Sequence, residues 1–133
     1  MLDTHIWFWM MTGERPLQTA TQSEIDRTAR RHELVIPVIS IWELAMLNAK
    51  GRIRFKEPIA DWVAESLALP GLRLAQITPA IAILCHQLPG SLQADPADRL
   101  IIATAMELDA TLVTRDAAIL AYGDEGHIKV LPA

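Results

Sequence analysis

Four carboxylates in this chain stand where a predicted strand ends or a predicted helix begins, so they are the side chains best placed for chemistry. Asp3 follows a short apolar start, and Glu43 lies near the beginning of the helix after an apolar run. Asp98 lies in the first turn of another helix, and Asp116 follows a later strand. The carboxyl ends of parallel strands share one edge, where open α/β sheets bind their ligands. We therefore expect Asp3, Glu43 and Asp116 to emerge together, with Asp98 joining them from a neighbouring helix.

A cluster of carboxylates indicates a particular chemistry. Neighbouring carboxylates repel and raise one another's pKa values, so a fold gains from such a cluster only when a cation neutralises it. With no cysteine or histidine partner in the set, the ligands suit a hard cation such as Mg²⁺ or Mn²⁺. One or two such ions can lower the pKa of a bound water and clamp the oxygens of an in-line phosphoryl displacement. The cluster therefore predicts phosphodiester hydrolysis.

Each carboxylate taken alone also fits an ordinary helix cap. Ser40 and Glu43 have the spacing of a capping box. Asp98 in a first turn gains from the helix dipole. Asp3 and Asp116 could each cap the helix that follows. Capping is the simpler interpretation of each residue, whereas only metal binding explains the set.

Two hydroxyl residues accompany the carboxylates. Thr114 stands two residues before Asp116, on the same side of its strand, where it could hold a carboxylate or a metal-bound water. Ser40 could likewise support a metal ligand from behind. A β-branched strand residue and a simple helix cap fit Thr114 and Ser40 equally well.

The carboxylates need a scaffold, and the apolar pattern predicts an α/β domain with a mainly parallel sheet. Pro37 is unusual inside its predicted strand because proline cannot donate to a ladder. The predicted strands are Met1-Leu2, Leu34–Ile39, Arg73–Gln76, Thr111–Thr114 and Ile128–Leu131. The predicted helices are Thr4–Met11, about Ser23–His32, Ser40–Ala49, one carrying Ile59, Trp62, Val63 and Leu67, Pro79–Gln87, Pro96–Leu108 and Asp116–Tyr122.

Length and composition predict one folded domain over residues 1–133. The chain is 51% hydrophobic, with a mean hydropathy of +0.22, which is too apolar for a disordered chain. The apolar run Ile6–Met11 is too short to span a bilayer and lacks the basic flank of a secretory signal, so we predict a cytoplasmic protein without a membrane span. Cys85 is the single cysteine, which excludes an internal disulfide.

Four segments carry the carboxylates in a recognisable order. They are Leu2–Trp7, Ile39–Ala45, Asp95–Ala105 and Leu112–Asp116. In order and spacing they resemble the motifs of PIN-domain ribonucleases, and in particular of the VapC-like toxins of type II toxin–antitoxin systems. Together the segments extend over essentially the whole chain.

This resemblance implies both a fold and an activity. The fold would be a three-layer α/β/α sandwich with a Rossmann-like parallel sheet, and the activity a Mg²⁺- or Mn²⁺-dependent endoribonuclease. Residue by residue, Asp3, Glu43 and Asp98 would be the main catalytic and metal-binding carboxylates, with Asp116 as the fourth. The resemblance also implies an RNA substrate, a homodimer and a cognate antitoxin. The chain departs from the pattern in having only Met1-Leu2 before Asp3, so either the native start lies upstream of Met1 or the central strand is short.

An acidic protein needs local basic clusters to hold RNA. The net charge is −4, whereas nucleic-acid binders are usually basic. Lys50, Arg52, Arg54 and Lys56 form one run, and Arg99 and Arg115 each adjoin a predicted ligand. We hypothesise that Arg99, Arg115 or the run beginning with Lys50 and Arg52 contacts RNA phosphates. Solvated surface charge is the alternative for the run, and an ion pair with Asp95 or Asp98 is the alternative for Arg99.

Other function classes fit less well. A non-catalytic PIN-like RNA-binding or regulatory module is the main alternative, although retention of all four carboxylates speaks against it. An Asp-dependent phosphatase would need a second Asp two residues after Asp3, where His5 stands. A structural protein leaves the acidic cluster unexplained. The first helix is apolar on nearly every side from Trp7 to Met10, so we expect it to lie between layers, with a second copy or the antitoxin covering the remainder.

Overall fold

The computed structural model describes all 133 residues. Seven helices alternate with four short strands. The helices are α1 (Thr4–Thr12), α2 (Thr19–Arg30), α3 (Val38–Ala49), α4 (Ile59–Leu67), α5 (Pro79–Leu84), α6 (Pro96–Glu107) and α7 (Ala117–Asp124). The strands are β1 (Leu34–Pro37), β2 (Leu72–Ala75), β3 (Leu112–Thr114) and β4 (Val130–Pro132). The longest helices have 12 residues, and none is long and apolar enough to cross a membrane.

The strands form two parallel pairs that the start of the chain joins together. β1 pairs with β2, and β3 pairs with β4. The Leu2 amide donates to the Val35 carbonyl at 2.9 Å, and the Asp3 amide donates to the Val113 carbonyl at 3.1 Å. Leu2 also forms a parallel bridge with Val113. The predicted short strand at Met1-Leu2 is therefore the centre of a mainly parallel sheet with the order β2, β1, Met1–Asp3, β3, β4.

Strand alternation produces the three layers. Successive residues of a strand point to opposite faces of the sheet, and here they enter two separate hydrophobic clusters. Val35 and Leu112 pack in the cluster that covers α5, α6 and α7. Leu34, Ile36 and Val113 pack in the cluster with α1, α2, α3 and α4. The predicted α/β/α sandwich is confirmed.

The first helix owes its apolar character to packing within this chain. Ile6, Trp7 and Phe8 are buried, and Trp9 and Met10 are half-buried against the same cluster. Gly13 ends the helix with φ 66°, and its amide donates to the Trp9 carbonyl. α1 therefore packs within this chain along one side, while the half-buried Trp9 and Met10 leave part of the helix exposed.

The predicted end of β1 and the predicted start of α3, on either side of Pro37, were wrong. β1 ends at Pro37 and not at Ile39, and α3 begins at Val38 and not at Ser40. Pro37 takes φ −73° and ψ 138°, the extended geometry of a residue preceding a helix. Its missing amide hydrogen thus falls at the end of the ladder, where proline is tolerated. Ser40 is therefore inside the helix, and the predicted capping box with Glu43 does not form.

Two helices differ from their predicted ends. α2 begins at Thr19, four residues before the predicted Ser23, and Gln18 precedes it without a side-chain cap. Burial of Thr21 and Ile25 one turn apart stabilises these early turns, although no local cap predicts them. α5 ends at Leu84, shorter than predicted, and the chain continues as a loop.

Candidate active site

Asp3 lies at the carboxyl edge of the sheet and is only 3% exposed. Its Oδ1 accepts the Thr4 amide at 2.6 Å, which caps α1, and its Oδ2 accepts the Thr114 hydroxyl at 2.5 Å. Burial raises the pKa of Asp3, although the nearby His5 and the hydrogen bonds from Thr114 and Thr4 oppose the rise. Asp3 therefore caps α1 and also lies where the carboxylate cluster was predicted.

Glu43 reaches the same edge from α3 through a short hydroxyl chain. The Thr4 hydroxyl contacts Glu43 Oε2 and lies 2.8 Å from the Ser40 hydroxyl. An ionised carboxylate can only accept. Thr4 therefore donates its single hydroxyl hydrogen to Glu43, and Ser40 donates to Thr4. Ser40, which is fully buried, thus supports Glu43 through Thr4 and caps nothing. Burial raises the pKa of Glu43, the Thr4 bond lowers it, and Asp3 and Asp95 raise it further.

Asp98 stands where the carboxylates repel most strongly. Burial raises its pKa to about 7, and Asp95, Asp3, Glu43 and Asp116 all contribute in the same direction. Glu43, Asp95 and Asp98 each place one carboxylate oxygen within 4.8 Å of the others. Asp95 also caps α6, because its Oδ1 accepts the amides of Ala97 and Asp98 at 2.9 and 3.0 Å.

Asp116 completes the set from the end of β3. Its Oδ1 accepts the amides of Ala118 and Ile119, both at 2.9 Å, and so caps α7. The Thr114 hydroxyl accepts the Asp116 amide at 3.0 Å while donating to Asp3. Thr114 is fully buried, so this one side chain couples the backbone at Asp116 to the carboxylate of Asp3.

All four predicted carboxylates line one pocket of about 270 Å³. They come from four separate places along the chain, and the parallel sheet brings them together. The donors available are carboxylate oxygens, which hard divalent cations such as Mg²⁺ and Mn²⁺ prefer. The shared repulsion at Asp98 is what a bound cation would relieve. The residues present therefore fit a divalent metal centre.

Comparisons with known proteins agree with this geometry. The sequence profile of the PIN domain matches residues 1–125. The chain belongs to the PIN-domain family. Ribonuclease VapC22 of Mycobacterium tuberculosis (strain ATCC 25618 / H37Rv) is 38% identical over 116 residues, which cover 87% of this chain and 85% of that protein. A chain in the crystal structure of VapBC2 from Rickettsia felis, bound to a DNA fragment from their promoter, superposes with a TM-score of 0.72 at 18% identity. That match covers 99% of this PIN domain and 96% of the other chain.

Two arginines of this PIN domain serve the fold. Arg99 donates to the carbonyls of Cys85 and Leu92, at 2.8 and 3.3 Å, and so fastens the loop before α6. Arg115 donates to the carbonyls of Ala133 and Pro16, at 2.6 and 2.7 Å. These bonds favour a structural role for both residues over the predicted RNA contact. The predicted alternative for Arg99, an ion pair with Asp95 or Asp98, does not form.

The basic run lies beside the acidic pocket. Arg52, Arg54 and Lys56 line a groove of about 700 Å³, which Phe55, Glu14 and Glu57 also line. The groove adjoins the acidic pocket, since both are lined by Phe8, Glu14 and Ile53. None of the three cations forms an ion pair. Lys50 lies at the end of α3, outside the groove lining, with Nζ 3.4 Å from Met46 Sδ.

The role of His5 was not decided by the sequence, and the structure places His5 beside Asp3. Its Nε2 accepts the Arg115 amide at 3.0 Å, so the proton of the neutral ring is on Nδ1, which lies 3.5 Å from Asp3 Oδ2. Burial lowers the pKa of His5, against the attraction of Asp3 and Asp116, and Arg115 and Arg15 lower it further.

Three residues of the site were missed in the sequence. Thr4 carried no signal of its bond to Glu43, because the contact depends on how α1 packs against α3. Asp95 was recognised only as a cap, although the Asp-Pro start of α6 already placed it one turn from Asp98. Arg15 lines the pocket from the loop after α1, and its loop position gave no indication of this.

Proposed function

We propose that this PIN domain is a metal-dependent endoribonuclease that hydrolyses RNA phosphodiester bonds and acts as the toxin of a toxin–antitoxin pair. The convergence of Asp3, Glu43, Asp98 and Asp116 in one pocket carries this proposal. The relationship to a protein named as a ribonuclease supports the choice of RNA.

In this proposal the four carboxylates hold Mg²⁺ or Mn²⁺. A divalent cation bound there would supply an activated water and would neutralise the charge of an in-line displacement. The chain's own groups orient the carboxylates before any cation binds. Thr114 directs Oδ2 of Asp3, and Thr4 directs Oε2 of Glu43. The amides at the starts of α6 and α7 hold Asp95 and Asp116 in place.

Cleavage of a mixed cellular RNA pool tests the activity. We expect the purified, antitoxin-free protein to cut RNA with Mg²⁺ or Mn²⁺ and to stop in EDTA. Glu43→Gln removes one ligand charge at similar shape, and the rate should fall at least about 100-fold. Asp124→Asn, an exposed carboxylate on α7 outside the pocket, is the matched control and should retain activity.

The outcomes separate the competing functions. Cleavage that persists in EDTA or in Glu43→Gln would contradict the metal mechanism. A folded protein that binds RNA without cutting it under any condition would favour the non-catalytic RNA-binding or regulatory module. A folded protein that binds neither Mn²⁺ nor RNA would contradict both functions.

The basic groove is the proposed path of the RNA strand, with Arg52 in its lining and Lys50 just outside that lining. Replacing Arg52, Arg54 and Lys56 together by Gln should lower the slope of log affinity against log salt by about 2, because each phosphate contact on a single strand contributes about 0.7. The control replaces Arg27, Arg30 and Arg31, a basic run of equal charge around the end of α2, which lines neither the groove nor the acidic pocket. Equal slopes for the two triple variants would show that the groove does not contact phosphates.

Protein partners are also part of the proposal, as a second copy of the chain and a cognate antitoxin. Trp42 is 56% exposed and Ile83 is 58% exposed, which is high for apolar side chains of this size. They lie on α3 and α5. Exposed aromatic and aliphatic side chains of this kind are typical anchors of protein interfaces. The exposure of Trp42 and Ile83 supports a partner surface on these two helices.

A further inference from the structure

Arg15 is a cation at the mouth of the acidic pocket. It lies in the loop between α1 and α2 and is exposed. Its side chain lines the same pocket as the four carboxylates. No sequence motif includes Arg15, and the metal site does not need it.

The Arg15 side chain is held by a contact with the Trp9 ring, and this contact uses none of the N–H donors of Arg15. The guanidinium carbon lies 4.9 Å from the centroid of the Trp9 ring, a cation–π geometry. Trp9 in turn packs against His5, with ring centroids 4.8 Å apart. The loop is fixed at Pro16, the residue after Arg15, because the Arg115 side chain donates to the Pro16 carbonyl at 2.7 Å. Arg115 therefore positions the segment that presents Arg15.

The donors of Arg15 have no partner in the protein. Its guanidinium forms no ion pair, even though it lines a pocket with Asp3, Glu43 and Asp98. Arg99 and Arg115, by contrast, each donate twice to backbone carbonyls. Of these three arginines, Arg15 is thus the one whose planar fork is free for a ligand.

We propose that Arg15, held over the Trp9 ring, binds a phosphate of the RNA strand beside the cleavage site. This inference rests on the proposed ribonuclease function and adds a substrate-binding residue to it. Because no N–H group of Arg15 is used within the protein, its guanidinium edge is free to match a phosphate in two parallel hydrogen bonds. A fixed positive charge at the rim also offsets the repulsion between the carboxylates and the RNA backbone.

The test measures RNA binding and does not depend on turnover. Asp98→Asn serves as the parent, and a fluorescent single-stranded oligoribonucleotide is titrated by anisotropy in Mg²⁺ across a salt series. Adding Arg15→Gln should weaken binding about tenfold and lower the salt slope by about 0.7. Arg15→Lys should retain the slope, since it keeps the charge, but recover only part of the affinity because it lacks the planar fork. Arg27→Gln, on the exposed surface of α2, is the matched control and should leave both values unchanged.

The results distinguish this inference from the function on which it rests. If the parent binds RNA and Arg15→Gln matches Arg27→Gln in affinity and slope, the Arg15 contact is wrong while the ribonuclease proposal stands. If Arg15→Gln weakens binding but keeps the salt slope of the parent, Arg15 neutralises no phosphate, and the phosphate contact is again wrong. If the parent binds no RNA and the unmodified chain cuts none, the proposed function fails, and the inference fails with it.

Discussion

Asp98→Asn is expected to stabilise the metal-free protein while abolishing its stabilisation by Mn²⁺. The pKa of Asp98 is about 7 in the fold because of burial and four neighbouring carboxylates. Ionising Asp98 with a pKa of about 7 instead of 3.8 costs about 4 kcal/mol without solvent screening. The cost is about 1–2 kcal/mol once screening of this partly exposed group is included. Loss of the favourable charge at the start of α6 removes only about 0.3–1 kcal/mol. The net effect is a gain of about 1 kcal/mol at pH 8.

Thermal unfolding with and without Mn²⁺ measures both halves of this prediction. At 100 times its Kd, a ligand stabilises the fold by about 2.7 kcal/mol, which in a domain of this size raises Tm by about 10 °C. The unmodified protein should show that rise and Asp98→Asn should lose most of it. Asp124→Asn is the control and should behave as the unmodified protein does. A simple capping role predicts the reverse, namely no gain without metal and no response to Mn²⁺ in either protein.

The gain in Asp98→Asn should depend on pH with a defined sign. A carboxyl group whose pKa is raised on folding stabilises the fold at pH values below its unfolded-state pKa. This contribution is lost as the pH rises through its folded-state pKa. The difference in unfolding free energy between Asp98→Asn and the unmodified protein should therefore be small near pH 4 and grow until about pH 7 to 8. Burial lowers the pKa of the Met1 amine to about 6 and also lowers the pKa of His5. Both shifts make the free energy of unfolding rise with pH, which is opposite to the effect of Asp98. Both groups are present in the two proteins, so the difference cancels them. A difference that stays constant from pH 4 to pH 8 would contradict the raised pKa.

Thr114→Val is expected to destabilise the protein by about 2–4 kcal/mol and to weaken Mn²⁺ binding about 10- to 100-fold. Valine keeps the shape of threonine but removes the donor to Asp3 Oδ2 and the acceptor of the Asp116 amide. The Asp3 carboxylate would then be buried without one of its two hydrogen bonds. An unsatisfied buried charge is among the more costly defects of a fold.

Thr104→Val provides a closely matched control for this variant. Thr104 is also buried, but its hydroxyl only donates back to the Leu100 carbonyl in α6, at 2.7 Å. That bond duplicates an acceptor already used in the helix, so its loss should cost less than about 1 kcal/mol. Urea unfolding gives the stabilities, and calorimetric titration gives the Mn²⁺ Kd. Equal effects of the two substitutions on both quantities would mean that Thr114 has no special part in the site.

Much of this protein could be inferred from local patterns. Gly13 after an apolar helix, Thr78-Pro79 and Asp95-Pro96 predicted helix ends that the structure has, because caps act within a few residues. The alternation of strands and helices predicted a parallel sheet, and that topology alone places Asp3 and Asp116 on one edge. The grouping of the four carboxylates therefore followed from the order of elements and from the shared direction of the strands.

The contacts that make the cluster a site depend on packing between distant segments. Thr4 reaches Glu43 only because α1 lies against α3, and Thr114 reaches Asp3 only because the first residues join the centre of the sheet. The roles of Arg99, Arg115 and Arg15 diverge for the same reason. A long flexible side chain takes whichever acceptors the neighbouring loops present, and its sequence position does not specify those loops. Adjacency to a ligand did not reveal that Arg99 and Arg115 donate to backbone carbonyls, and the fold left Arg15 with free donors at the mouth of the pocket.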